Sequence, residues 1–406
     1  MKYLILGAGP AGLSLANRLK QLGEDSFLVL EKEETAGGLC RSVWVDGAPF
    51  DIGGGHFLDV KNHEVNNFLF SFMPQEEWNL FERDSQIQLE NNRINSPIES
   101  NIWQMDLYTQ VEYLKAIAVA GCNLGKKMPE KFVDWIFWKL GDRIAQDYML
   151  PYNKKMFADE LNELGTYWLE KLPNVSFEET LLSCLTHKAY GTQPAHTTFF
   201  YPAKYGYGEL WLRMAEKIKD HIVYKTRVEE LDFDSRVIKT TEGTSFRAQV
   251  IITTVPWRAW KALIGMPSKL QSRVKNLKHS SIETRYFPQN IETTAHWIYY
   301  PDTKLPYHRI LVRHNFCPQS RGGWMETRKE RITMFSKEEI PFSYINEYAY
   351  PLNTLQKPEI MKELLEWCKK KNVYGLGRWG EHQHYNSDVT VGLALKLAEK
   401  LCKETR

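Results

Sequence analysis

A chain of 406 residues with a net charge of +2 is long enough for two or three structural units, each with its own core. So balanced a charge excludes electrostatic capture of nucleic acid or of an acidic membrane surface, and 43% hydrophobic with 25% charged residues excludes a disordered chain. No apolar run reaches the ~18 residues of a membrane span, and six scattered cysteines without a CxxC pair read as core thiols in a reducing cytosol.

Tyr3-Leu4-Ile5-Leu6 reads as a buried strand, with no room before it for a signal peptide. The turn Gly7-Ala8-Gly9-Pro10-Ala11-Gly12 follows, then a predicted helix Leu13 to Leu22 and a second strand Ser26 to Leu30 ended by Glu31-Lys32. This is a dinucleotide fingerprint in its full context. Gly7 makes the tight turn, Gly9 lets the backbone approach a pyrophosphate, and Gly12 lets helix and strand pack closely. The helix N-terminus offers unpaired N–H groups to the phosphates, and Glu31 is placed to accept from a ribose hydroxyl.

Two further glycine clusters, Gly37-Gly38-Leu39 and Gly53-Gly54-Gly55-His56, come without a second βα pair. Backbone free of Cβ in three places predicts a large flat ligand packed against loops, as an extended FAD would be. Further along, the pattern predicts a helix from His63 to Phe72 and strands Ile87 to Leu89 and Asn92 to Ile94. Helices are expected over Tyr108 to Ala120, Pro129 to Leu140 and Gly141 to Leu150, with Pro151 and Pro173 as punctuation. Strands are expected over Val223 to Leu231 and Val237 to Thr240, with Glu242-Gly243 as the hairpin turn, and over Val250 to Pro256. Residues 279–350 are strand-rich and aromatic; a helix Pro358 to Lys370, a strand Val373 to Arg378 and a helix Asp388 to Lys403 close the chain.

The N-terminal third resembles the FAD superfamily of amine oxidases, protoporphyrinogen oxidases and UDP-galactopyranose mutases. Leu150-Pro151-Tyr152-Asn153-Lys154-Lys155-Met156-Phe157 is similar to a mutase segment whose asparagine lies at the nucleotide site. Trp297-Ile298-Tyr299-Tyr300-Pro301 with Pro306-Tyr307-His308-Arg309, then Tyr348-Ala349-Tyr350-Pro351, resemble elements that reach the substrate diphosphate. Gly377-Arg378-Trp379-Gly380 and Asn386-Ser387-Asp388-Val389-Thr390 resemble the closing flavin-binding strand and helix. Nearly the whole chain is covered, with the motifs in the family's order.

The resemblance implies an α/β fold. A Rossmann-like FAD domain of the glutathione reductase type would be assembled from 1–60, 195–260 and 371–406, with a helical insertion at 101–190 and a mixed, mostly antiparallel sheet domain from 61–100 and 261–370. It implies a cytoplasmic FAD-dependent mutase that interconverts pyranose and furanose nucleotide sugars through a reduced-flavin N5–sugar adduct. NAD(P)H is the expected reductant, and a furanose for a surface polysaccharide is the expected product. Cofactor contacts fall on Gly7, Gly9, Pro10, Ala11, Gly12, Glu31, Lys32, Gly38, Leu39, Gly54, Gly55, His56, Val228, Arg378, Asn386 and Asp388. Substrate contacts fall on Asn153, Lys171, Tyr299, Arg309 and Tyr350, and catalytic roles on His56, Arg309, Tyr299, Tyr350 and His384. His187 has no comparable context and reads as surface or core. Guanidinium groups hold a diphosphate bidentately and phenols add donors without charge. Lys171 is the only cation where the mutases carry a second arginine, and Ser96 and Glu99 replace residues near the uracil. An acid there suits a donor-rich base edge. The rivals are an FAD oxidase or desaturase, and a flavin-free binding protein, against which the intact glycines argue.

Overall fold

The strand Tyr3–Leu6 lies at the centre of a five-stranded parallel sheet, in the order Ile222–Val223, Phe27–Leu30, Tyr3–Leu6, Val250–Thr253, Val373–Gly375. This computed structural model describes residues 1–90, 92–123, 125–169, 172, 175–191, 197–335 and 342–404. The period of two in a strand explains why Tyr3–Leu6 is apolar throughout. Tyr3 and Ile5 enter a core with Leu13 and Leu15 of the helix Pro10–Gln21 and Ala394 and Leu401 of the helix Ser387–Glu404. Leu4 and Leu6 enter a second core with Leu231, Trp257 and Ile360.

A seven-stranded mixed sheet runs Ser343–Pro351, His279–Phe287, Gly323–Arg328, Arg309–Val312, Trp297–Tyr299, Ser85–Gln88, Arg93–Asn95. Every neighbouring pair is antiparallel except Trp297–Tyr299 with Ser85–Gln88. The helices Leu107–Gly121, Phe132–Ile144 and Leu150–Met156 share a third core with it, through Ile87, Ile94, Tyr113, Trp135, Ile144, Ile282 and Tyr350. The fold class is therefore the expected α/β architecture with several sheets of mixed orientation.

Several boundaries are corrected. The expected strand Val223 to Leu231 is two strands in two different sheets. Lys225, with φ +54°, turns the chain, and Val228–Asp232 joins a four-stranded sheet with Val237–Thr240. Pro151 does not end a helix, because it sits in the first turn of Leu150–Met156, where its missing N–H costs nothing. The final strand stops at Gly375; Gly377, at φ +73°, starts a short helix to Gly380. The strand Thr198–Pro202 and the helices Phe177–Thr186 and Gly208–Glu216 had no sequence expectation of their own. The cysteines are all free, but Cys122 is exposed and Cys184 and Cys402 are half-buried, so only Cys40, Cys317 and Cys368 fit the core reading.

One buried cation fixes the helical layer to the mixed sheet. Lys155 is fully buried, and its Nζ donates to the carbonyls of Tyr300 and Asp302, each at 2.7 Å. Burial, with Arg331 nearby, lowers its pKa to about 7. Lys155→Ala removes both bonds and leaves the buried Tyr300 carbonyl without its donor. It should lower unfolding stability by about 2–4 kcal/mol in a urea titration. A loss under about 0.5 kcal/mol, the range of an ordinary surface change, would show that the anchor carries no weight.

Candidate active site

The first glycine turn is shaped by close backbone approach. A Cβ on Gly12 would lie 1.9 Å from the Gly7 carbonyl oxygen, and one on Gly38 would lie 3.2 Å from the Gly9 Cα. Gly37 donates its N–H to the Ala8 carbonyl, so the first two glycine clusters abut. The helix Pro10–Gln21 has Gly9 as its N-cap and no capping side chain, which leaves its N-terminus open to an anion. Glu31 ends the adjacent strand, and its buried carboxylate accepts from the N–H groups of Ala8 and Glu33. Burial shifts its pKa upward. An open helix end, abutting glycines and an acid at the second strand suit the pyrophosphate and ribose of FAD. Pro10, Ala11 and Leu39 belong to the same turn and its neighbour, whereas Lys32 is exposed and pairs with Glu33. Val228 begins a strand of the separate four-stranded sheet.

The third glycine cluster is explained differently from the sequence expectation. A Cβ on Gly53 would meet the Leu39 carbonyl at 2.0 Å, on Gly54 the Glu326 carboxylate at 2.3 Å, and on Gly55 the Leu311 side chain at 2.0 Å. Glycine is required there by the protein's own strands, before any ligand is considered.

A cleft of about 580 Å³ brings together Gly55, His56, Asn153, Tyr299, Arg309, Tyr350, Arg378, His384, Asn386 and Asp388. Candidates drawn from distant stretches of the chain therefore share one cavity. Gly7, Gly9, Gly12, Glu31, Lys32, Gly38 and Val228 lie outside its lining, and Lys171 lies outside the described residues. His187 is a left-handed residue ending the helix Phe177–Thr186 and stacks on Trp103, away from the cleft.

His56 bonds through Nδ1 to the Gly54 carbonyl at 3.0 Å. A carbonyl only accepts, so Nδ1 carries the proton in the neutral ring and Nε2 is an acceptor. Burial and then Arg378 lower its pKa to about 4, so the ring is neutral at physiological pH. Arg378 donates from Nε and Nη2 to the Tyr385 carbonyl and from Nη1 to that of Ala349, which holds the closing segment against the strand carrying Tyr350. Asn153 donates to the Met149 carbonyl at 2.7 Å, and the His384 ring lies 4.8 Å from that of Tyr350.

Arg309 is not alone. In the antiparallel pair of Arg309–Val312 with Gly323–Arg328, Glu326 stands directly opposite it. Nη2 of Arg309 donates to both carboxylate oxygens of Glu326 at 2.8 and 2.6 Å, and Nε donates at 3.1 Å. Burial alone would raise the Glu326 pKa, but Arg309 and His308 outweigh it and hold it at about 2. Glu326 thus fixes one edge of the guanidinium, and Nη1 makes none of these bonds. Burial, followed by Glu326, raises the pKa of neighbouring Tyr350, which keeps the phenol protonated.

The sequence reading missed Glu326 and Arg83. Arg83 lines the cleft and donates to the Tyr299 hydroxyl at 3.1 Å, with its guanidinium 4.9 Å from the Trp297 ring. Tyr299 also accepts from the Trp297 indole at 2.8 Å. In the run Glu82-Arg83-Asp84, Arg83 reads as one charge of a solvated turn, and only the pairing of strands distant in the chain brings either residue to the cleft.

Residues 10–290 match the family model of flavin containing amine oxidoreductases. The chain belongs to that family. Membership makes it a flavin-dependent enzyme and implies FAD, which the glycine cradle accommodates. A probable UDP-galactopyranose mutase of Klebsiella pneumoniae is 19% identical over 98% of this chain and 94% of its own. A Baeyer-Villiger monooxygenase of Pseudomonas aeruginosa is 39% identical, but over only 21% of this chain and 15% of that protein. Among solved structures, a reduced UDP-galactopyranose mutase shares the fold with a TM-score of 0.88 at 21% identity, covering 99% of this chain and 94% of its own. Cyclohexylamine oxidase from Brevibacterium oxydans follows at a TM-score of 0.68 and 14% identity, covering 98% of this chain and 99% of its own. Within this amine oxidoreductase fold, no helix among the described residues is long and apolar enough to cross a membrane, and no group of three or more His, Cys, Asp or Glu could hold a metal.

Proposed function

We propose that this flavoenzyme is a nucleotide-sugar mutase that interconverts pyranose and furanose rings without net redox change. The observation that carries the reading is the group Arg309, Tyr299 and Tyr350 in one cleft with His56 and Arg378. A guanidinium held in place by Glu326 and flanked by neutral phenols suits a diphosphate leaving group. Arg83, bonded to the Tyr299 hydroxyl, supplies the second guanidinium, in place of the arginine that the stretch around Lys171 lacks.

Reduced FAD, when bound, would supply a nucleophilic nitrogen for the anomeric carbon. Gly7, Gly9, Pro10, Ala11, Gly12, Glu31, Lys32, Gly38, Leu39 and Val228 would hold its adenosine and pyrophosphate. Gly54, Gly55, His56, Arg378, Asn386 and Asp388 would border the ring. His56, neutral and accepting at Nε2, orients a donor beside the ring and does not act as a general base. Arg309, Tyr299 and Tyr350 hold the diphosphate while it is detached, so that it returns to the same sugar. Asn153, His384 and Lys171 complete the substrate side, NAD(P)H is the reductant, and the furanose product feeds a surface polysaccharide.

An oxidase is the second reading, favoured by the whole-chain match to cyclohexylamine oxidase. The cleft argues against a cationic amine: Lys61, Arg83, Arg309 and Arg378 line it against Asp59, Glu99 and Asp388. The test is tight binding of a nucleoside diphosphate in competition with a panel of amines, with oxygen uptake followed. Diphosphate binding without oxygen uptake supports the mutase; peroxide production on an amine overturns it.

A further inference from the structure

Part of the cleft lining differs in character from the rest. Trp135, Leu140, Tyr148 and Tyr152, all from the helical layer, form an aromatic and apolar wall, and Glu99 stands among them. The rings of Tyr148 and Tyr152 lie 5.6 Å apart at a tilt of 33°, and Tyr148 feels the charges of Glu99 and Arg83, so this wall adjoins the arginine at Tyr299. Glu99 is 7% exposed. Its own backbone N–H is the only donor on its carboxylate among the described residues, and the one cation acting on it is Lys139. A buried acid without a partner is costly, and its place in a ligand cleft points to a ligand that completes it.

We propose that Glu99 reads the base of the nucleotide, and that it selects a base with two adjacent N–H donors, a guanine edge, over uracil. This rests on the nucleotide-sugar reading above and names its substrate class as a guanosine diphosphate sugar. A carboxylate only accepts, and its two oxygens match the parallel N1–H and 2-amino donors of guanine bidentately. Uracil presents one N–H between two carbonyls, so each bond formed brings acceptor against acceptor. A cleft with a buried acceptor pair rejects such a base more strongly than an apolar slot would. Aromatic side chains in the same lining offer faces on which a base can stack.

The experiment is calorimetric titration of flavin-loaded protein with GDP, UDP, CDP and ADP at pH 8, for wild type and Glu99→Gln. Glu99→Gln keeps the shape of the side chain, and retained flavin absorbance shows that it is folded. The expected result is GDP at least tenfold tighter than UDP in wild type, with the gap falling below threefold in Glu99→Gln. UDP binding as tightly as GDP overturns the base assignment and leaves the nucleotide-sugar reading standing, as does a GDP preference that survives in Glu99→Gln. No binding of any diphosphate overturns both.

Discussion

Replacing Arg309 by alanine should cut kcat/KM for a nucleotide sugar by about 10²–10³-fold, the loss of roughly 3–4 kcal/mol of charge-assisted binding to a diphosphate, with the flavin still bound. The same change strands Glu326, which is 1% exposed and bonded to two nitrogens of Arg309. An acid left buried with only His308 beside it costs up to about 3–5 kcal/mol of stability, so activity and folding would fall together. The double variant Arg309→Ala with Glu326→Gln separates them: stability returns and activity does not. The sign of the pH effect follows from the lowered carboxyl. The pair stabilises the fold fully above the ordinary glutamate range near 4.5, and that stability is lost as pH falls toward about 2. Loss of flavin from the double variant would take Arg309 out of the substrate site.

Gly12→Val should give protein that retains less than a tenth of its flavin, or that fails to fold. A Cβ at this position meets the Gly7 carbonyl oxygen at 1.9 Å and its carbon at 3.1 Å, and backbone atoms of a strand-to-helix turn cannot step aside. Forcing the helix Pro10–Gln21 away from the strand Tyr3–Leu6 costs about 3 kcal/mol or more and misplaces the N–H groups offered to the pyrophosphate. Gly121→Ala is the control: nothing lies within 4 Å of its Cβ, and that protein should stay yellow. Flavin bound normally by Gly12→Val, measured by absorbance near the oxidised flavin band, would show that the cradle tolerates a side chain.

The nucleotide half was legible because its signals are local. An apolar tetrapeptide, a glycine turn, a helix and a second strand ended by Glu31 stand in sequence order and leave one arrangement open. The position of Arg309, Tyr299 and Tyr350 in one cleft was legible only through the order of short motifs. What held Arg309 was not, because Glu326 reaches it through the antiparallel register of two strands, and register is set by packing rather than by either strand's composition. Arg83 was hidden for a similar reason: it precedes the strand Ser85–Gln88, whose parallel neighbour Trp297–Tyr299 is more than 200 residues away in the chain. The break between Ile222–Val223 and Val228–Asp232 escaped notice because a left-handed lysine, Lys225, leaves no compositional mark of the kind a glycine leaves. Glycines 53–55 were legible as a signal, although the close neighbours that require them are Leu39, Glu326 and Leu311.

The most direct measurement is chromatography of sugar products after the flavin-loaded protein, reduced with dithionite under anaerobic conditions, is incubated with a panel of nucleotide hexopyranoses. The account predicts a furanose nucleotide sugar from at least one of them, formed only with reduced flavin and without consumption of reductant per turnover. No furanose from any member of the panel, with oxygen consumed and peroxide released on an amine, would contradict it.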